Sequence, residues 1–88
     1  MNKHILLVMK WFDDKDSVSQ EKLEENWRET WGTYVDAEAA YGVAAARAAA
    51  DAAYWATFPC SDNAAYWVDE YFKETSEDKN EYLKELSK

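Results

Sequence analysis

The sequence predicts an all-α protein, and three observations carry that expectation. Fourteen alanines, with many Glu, Lys and Leu, favour helix by intrinsic propensity. Two glycines and one proline leave little turn chemistry for a many-stranded sheet. Large apolar residues in the longest segment, at 23, 27, 31, 34 and 35, recur at helical spacing. Residues 1–88 make a single domain. The expected architecture is three or four helices organised around one long Ala-rich helix. A chain this small needs an efficient core or one shared with a second copy, so a homo-oligomer, in the form of a dimeric helical bundle, is expected.

Lys3–Phe12 (KHILLVMKWF) is the first helix. Ile5, Met9 and Phe12 fall on one side, and Leu7, Val8 and Trp11 widen it, as in a helix packed on more than one face. The run Ile5–Met9 also suits a strand. No second run exists to pair with it, and a lone strand leaves its backbone unsatisfied. Asp13–Ser19 is a polar link. Ser19 is a good N-cap with Glu21 in the first turn, and Val18 and Leu23 stand at hydrophobic-staple positions. Ser17 with Gln20 is a competing cap.

The second helix starts near Gln20. Leu23, Trp27, Trp31, Tyr34 and Val35 make one apolar stripe that Tyr41 continues, and no strong stop precedes Pro59. One helix over 20–57 would be roughly 55 Å long at about 1.5 Å per residue. A compact domain of this size has a radius of gyration of about 12 Å. The helix therefore breaks, or the molecule is elongated and shares its core. Gly32 and Gly42 are the weak points, with Gly32-Thr33 the better break.

Within the segment Ala37–Phe58 lie twelve of the alanines. Gly42, Ala46, Ala49, Ala53 and Ala56 alternate at spacings of four and three and form a ridge of small side chains. Such a ridge lets two helix backbones approach closely, against either the third helix or a second subunit. Pro59-Cys60-Ser61 is the break. Ser61 or Asp62 caps a third helix, Asn63–Thr75, with Trp67, Tyr71 and Glu74 on one side and Ala64, Val68 and Phe72 on another. Ser76 caps a last helix, Glu77–Ser87, whose stripe is Tyr82, Leu83 and Leu86.

A net charge of −8 argues against direct contact with nucleic acid or anionic membrane, since both require basic footprints. Ala39–Phe58 is long enough to raise a transmembrane question. Arg47 and Asp51 near its middle answer it, and a cytoplasmic location is expected. Cys60 is the single cysteine and His4 the single histidine, near a flexible end, so no zinc set exists. Phosphate-cradling glycine motifs and G-x-S-x-G are absent. No metal, no cofactor and no catalytic residue is expected, and enzyme is the least favoured class.

Two binding functions remain. Tyr34, Tyr41, Tyr54, Trp55, Tyr66 and Tyr71 exceed what a small core needs and suit a contact patch for a partner protein; Trp27, Trp31 and Trp67 are assigned to the core. Alternatively, Asp13, Asp14, Asp16, Glu21, Glu24, Glu25 and Glu29 imitate a nucleic-acid backbone and occupy a basic site on a host protein. A self-assembling helical protein is the third reading.

The opening MNKHILLVMKW, the link SVSQEKLE, the Ala/Tyr-rich centre and the closing AAYWVDEYFKET together resemble small acidic proteins of tailed phages, particularly relatives of the T-even type. The likeness spans most of the chain, and its motifs carry no known chemistry, so no active-site residue transfers. It implies a phage accessory protein in the bacterial cytoplasm that binds and inhibits or modulates a host protein, often one of a defence system.

Overall fold

Gln20 Nε2 donates to the Thr57 carbonyl oxygen at 2.6 Å, so the two ends of the expected long helix touch. The computed structural model describes residues 1–38, 43–58 and 60–88, with the side chains at 33, 35–38 and 43 outside that description. Among the described residues lie α1 (Lys3–Asp13), α2 (Gln20–Glu38), α3 (Val43–Ala56), α4 (Ser61–Thr75) and α5 (Lys79–Leu86). A 3-10 turn spans Lys15–Ser17, and no strand is present among them. The fold is all-α. The single long helix is corrected to two helices that pack side by side, α2 and α3. A hairpin buries faces of both helices in one core, which an extended rod cannot do within one chain. Gly32 is not the break, since it lies inside α2. Gly42 lies outside the described residues.

α1 forms because Asn2 caps it, its Oδ1 accepting from the amides of His4 at 2.8 Å and Ile5 at 3.2 Å. Ile5, Val8, Met9 and Trp11 are buried, and α1 touches all four other helices. In the link, Asp14 Oδ1 accepts from the Asp16 amide at 3.0 Å and the Ser17 hydroxyl donates to the Asp14 carbonyl at 2.7 Å. Ser19, not Ser17, caps α2, its Oγ accepting from the Lys22 amide at 3.2 Å. Val18 and Leu23 are both buried in the core.

α3 is the centre of the fold, packed by α1, α2 and α4. Ala48, Ala49, Ala50, Ala52, Ala53 and Ala56 are all buried. At about 100° per residue they span an arc of roughly 200°, more than half the circumference. Only a methyl-sized side chain lets three neighbours approach one helix on that arc. Of the expected ridge, Ala49, Ala53 and Ala56 are buried and Ala46 is half-buried. The partners of these alanines are helices of the same chain, so the seam gives no reason to invoke a second copy.

α4 turns Ala64, Val68 and Tyr71 inward, with Trp67 and Phe72 packed at the edge of the core. It begins at Ser61 rather than Asn63, and neither Ser61 nor Asp62 caps it. Cys60 holds the N-cap position without a side-chain bond, and Ser61 Oγ instead accepts from the Lys15 ammonium, which lies 3.5 Å from the Trp11 ring centre. Ser76 is also reassigned. It ends α4 in the left-handed region at φ 60°, its amide donating to the Phe72 carbonyl at 3.2 Å. Asp78 caps α5, its Oδ1 accepting from the Asn80 amide at 2.9 Å. Of the stripe expected on α5, Tyr82 is buried and Leu86 partly so, but Leu83 is exposed. No helix among the described residues is long and apolar enough to cross a membrane.

Candidate protein-binding face

The α2–α3 hairpin carries an aromatic line made of two groups of touching rings. Tyr34 and Trp31 lie 5.4 Å apart between centroids, and Trp27 and Tyr54 join the two helices at 5.5 Å. Tyr54 then meets Phe58 at 4.9 Å and Trp55 at 5.3 Å, both edge-on. Trp27 and Trp31 are one turn apart and so share a face of α2. Trp31 is 51 % exposed and Phe58 56 %. Tyr34, Tyr54, Trp55 and Trp27 are half-buried, the last two resting on the core.

Trp31 is therefore not a core residue, and the reason lies on the neighbouring face of α2. There Leu23, Asn26 and Thr30 are buried in place of a continued apolar stripe. His4 Nδ1 donates to Asn26 Oδ1 at 2.7 Å, Asn26 Nδ2 donates back to the His4 carbonyl at 3.3 Å, and Thr30 Oγ1 donates to the Asn26 carbonyl. His4, expected near a flexible end, is buried with these partners. A buried imidazole needs a polar partner. Supplying it rotates α2 so that Asn26 points inward and Trp31 outward.

The other contact candidates divide. Tyr41 lies outside the described residues. Tyr66 is exposed on α4, paired edge-on with Trp67 at 5.1 Å and not part of the line. Tyr71 is buried and is no contact residue. Its hydroxyl donates to Glu77 at 2.5 Å, and the Tyr82 hydroxyl donates to the same carboxylate while accepting from the Asn2 amide at 2.7 Å. Burial pushes both phenols up from their ordinary range, and the bond to anionic Glu77 pushes them further. Burial alone would raise Glu77. The two phenolic donors and the nearby N-terminal amino group outweigh it, and the carboxyl lies below its usual value.

The acidic candidates Asp13, Asp14, Asp16, Glu21, Glu24, Glu25 and Glu29 are all exposed. Glu21, Glu25 and Glu29 form a row at i, i+4 and i+8, and Lys3 reaches Glu29 at 3.8 Å. Glu25 stands about 160° around α2 from Trp27. The acid row and the aromatic line are thus separate surfaces. On the outer side of α3, Arg47 and Asp51 pair at 3.5 Å. Burial raises Asp51, against the pull of Arg47. Arg47 also lies 5.7 Å from the Trp67 ring centre on α4.

Sequence reasoning missed Trp27, Trp31 and Phe58 as members of the line. The available signal was the spacing Leu23–Asn26–Thr30, an i, i+3, i+7 face able to serve the one histidine. Among the described residues no group of three His, Cys, Asp or Glu side chains is placed to hold a metal ion. Comparison with protein-family models, with curated proteins and with solved structures finds no match.

Proposed function

We propose that this protein is a non-enzymatic binder of another protein, and that the aromatic line of the α2–α3 hairpin is its contact face. The observation that carries the reading is the exposure of Trp31, packed on Tyr34, and of Phe58, packed on Tyr54 and on Trp55 at the edge of the core. Trp and Tyr held in place by packing are the usual anchors of interfaces, because they bring large area at small entropy cost. The partner suited to this face offers an apolar cleft. A basic rim on it would be drawn by the net charge of −8. The phage resemblance of the sequence makes that partner a host protein in the bacterial cytoplasm, inhibited or modulated by occupation of its surface.

The separate acid row carries the second reading, occupation of a basic nucleic-acid site. Affinity capture from a bacterial host lysate distinguishes the two. The expected result is one captured protein, lost with Trp31→Ser/Phe58→Ser and kept with Glu21→Gln/Glu25→Gln/Glu29→Gln. Loss with the glutamine variant alone, and displacement of the protein by DNA, would assign the contact to the acids. Recovery of further copies of this chain would favour self-assembly.

A further inference from the structure

We propose that the groove between α1, α4 and α5 binds an organic ammonium ion that carries an apolar body. The groove is about 530 Å³, within the range of small-molecule sites. Its floor is apolar, built from Met9 and Phe12 of α1, Val68 of α4, and Leu83 and Leu86 of α5. Leu83, 47 % exposed, is the large apolar residue of α5 that the core leaves uncovered, and it lines this groove. Ala65 of α4, half-buried, also lines the groove and contributes only a methyl group there.

The charges on the wall choose the ligand. Asp69 is engaged by Lys79 at 3.3 Å, which neutralises both. That leaves Asp13, at the last turn of α1, with no hydrogen-bond or ion-pair partner among the described residues. The rim therefore has one carboxylate without a direct partner beside the apolar side chains, and the lysines of the adjoining groove, Lys3, Lys10 and Lys88, do not pair with it. An ammonium with an aryl or alkyl body satisfies both. A carboxylate ligand of the same shape meets Asp13 with like charge. This site shares no residue with the aromatic line of the hairpin and stands whether or not that face binds a protein.

The probe is 4-phenylbutylamine, with 4-phenylbutanol and 4-phenylbutanoate as neutral and anionic analogues, followed by methyl carbon–proton spectra of the full chain. The amine is expected to shift the Met9, Val68, Leu83 and Leu86 methyls saturably and to bind most tightly of the three. Asp13→Asn should weaken the amine about threefold to fivefold, the size of one exposed ion pair, and leave the alcohol unchanged. Glu21→Gln removes the same bulk charge elsewhere and should leave amine affinity as it was. Ala65→Leu fills the groove and should abolish the shifts; Asp13→Asn, at an exposed position, keeps the test decisive if that variant does not fold. Equal binding of the three probes, equal effects of Asp13→Asn and Glu21→Gln, shifts centred on other methyls, or no saturable shift would each overturn the proposal.

Discussion

Tyr82 is the one fully buried residue of α5, and its hydroxyl ties three distant parts of the chain together. It accepts from the Asn2 amide, and Asn2 in turn caps α1. It donates to Glu77, which also receives Tyr71 from α4. Hydrogen bonds to a charged acceptor are worth about 1.5–3 kcal/mol when one partner is removed. Tyr82→Phe is expected to cost about 2 kcal/mol at pH 7 in urea unfolding. The pH dependence follows from the directions of the shifts. Glu77 titrates lower in the folded chain than in the unfolded one. Its contribution is complete above about pH 4.3, the unfolded carboxyl value, and is lost as pH falls through the folded value. Glu77→Gln should therefore be less stable than the parent at pH 7, with the gap closing toward pH 3. The tyrosines act in the opposite sense. Their raised values hold stability below about pH 10 and lose it as pH climbs through the folded values. A gap between parent and Glu77→Gln that stays constant from pH 7 to pH 3 would show that the carboxylate is not the acceptor holding this cluster.

Helix existence was largely legible in the sequence, and helix placement was less so. The Lys3–Phe12 helix, the Ser19 cap and the start at Gln20 follow from local chemistry that the structure uses, whereas the Asn2 cap was not read from the sequence. The hairpin was not legible, because the residues of α2 and α3 are all compatible with one continuous helix and only burial of both faces separates them. Gly32 illustrates the difference. It looked like a hinge, yet it lies inside α2, and an added Cβ would meet no atom within 4 Å. Gly32→Ala is expected to stabilise the fold by about 0.5–1 kcal/mol, by removing unfolded-state freedom and raising helix propensity. A loss of stability would mean that α2 needs the glycine. The alanines of α3 make the complementary case. Ala49 is 2 % exposed where neighbouring helices close in, and Ala44 faces solvent. Ala49→Leu should cost about 1–3 kcal/mol by overpacking, while Ala44→Leu should stay within about 0.5 kcal/mol of the parent. Equal effects in thermal unfolding would mean that the alanines serve only helix propensity. The aromatic line was half legible. Tyr34, Tyr54 and Trp55 stood out by number, whereas Trp31 was masked because its spacing from Trp27 suits a core stripe equally well. The buried His4–Asn26 pair decides between those faces, and it joins residues 22 positions apart that no local pattern connects.

At the scale of the molecule, the radius of gyration is 12.0 Å and the longest extent 36 Å. A compact single chain of this length is expected at about 12 Å, so one copy closes its own core. One ground for a shared core was a helix too long for the domain, and the side-by-side packing of α2 and α3 removes that ground. Charge points the same way. Residues 1–38 hold nine acids and five bases, residues 61–88 eight and four, and the stretch between them one of each. Two copies meeting anywhere but along α3 would bring net-negative segments together, α2 included with its six acids and two bases, and self-repulsion of this kind opposes association. The aromatic line lies partly on α3, whose one acid and one base cancel, and salt screens the charge of its α2 part within about 10 Å at 0.1 M. Light scattering at low salt and micromolar concentration is expected to give the mass of a monomer, 10.2 kDa. If association sets in as concentration and salt rise together, it should be reversed by Trp31→Ser and unaffected by Ala44→Leu. A dimer that persists at low salt and on dilution would mean that the acidic surfaces find compensation in a second copy, and the aromatic line would then have to be sought inside that interface rather than on the face left open to a partner protein.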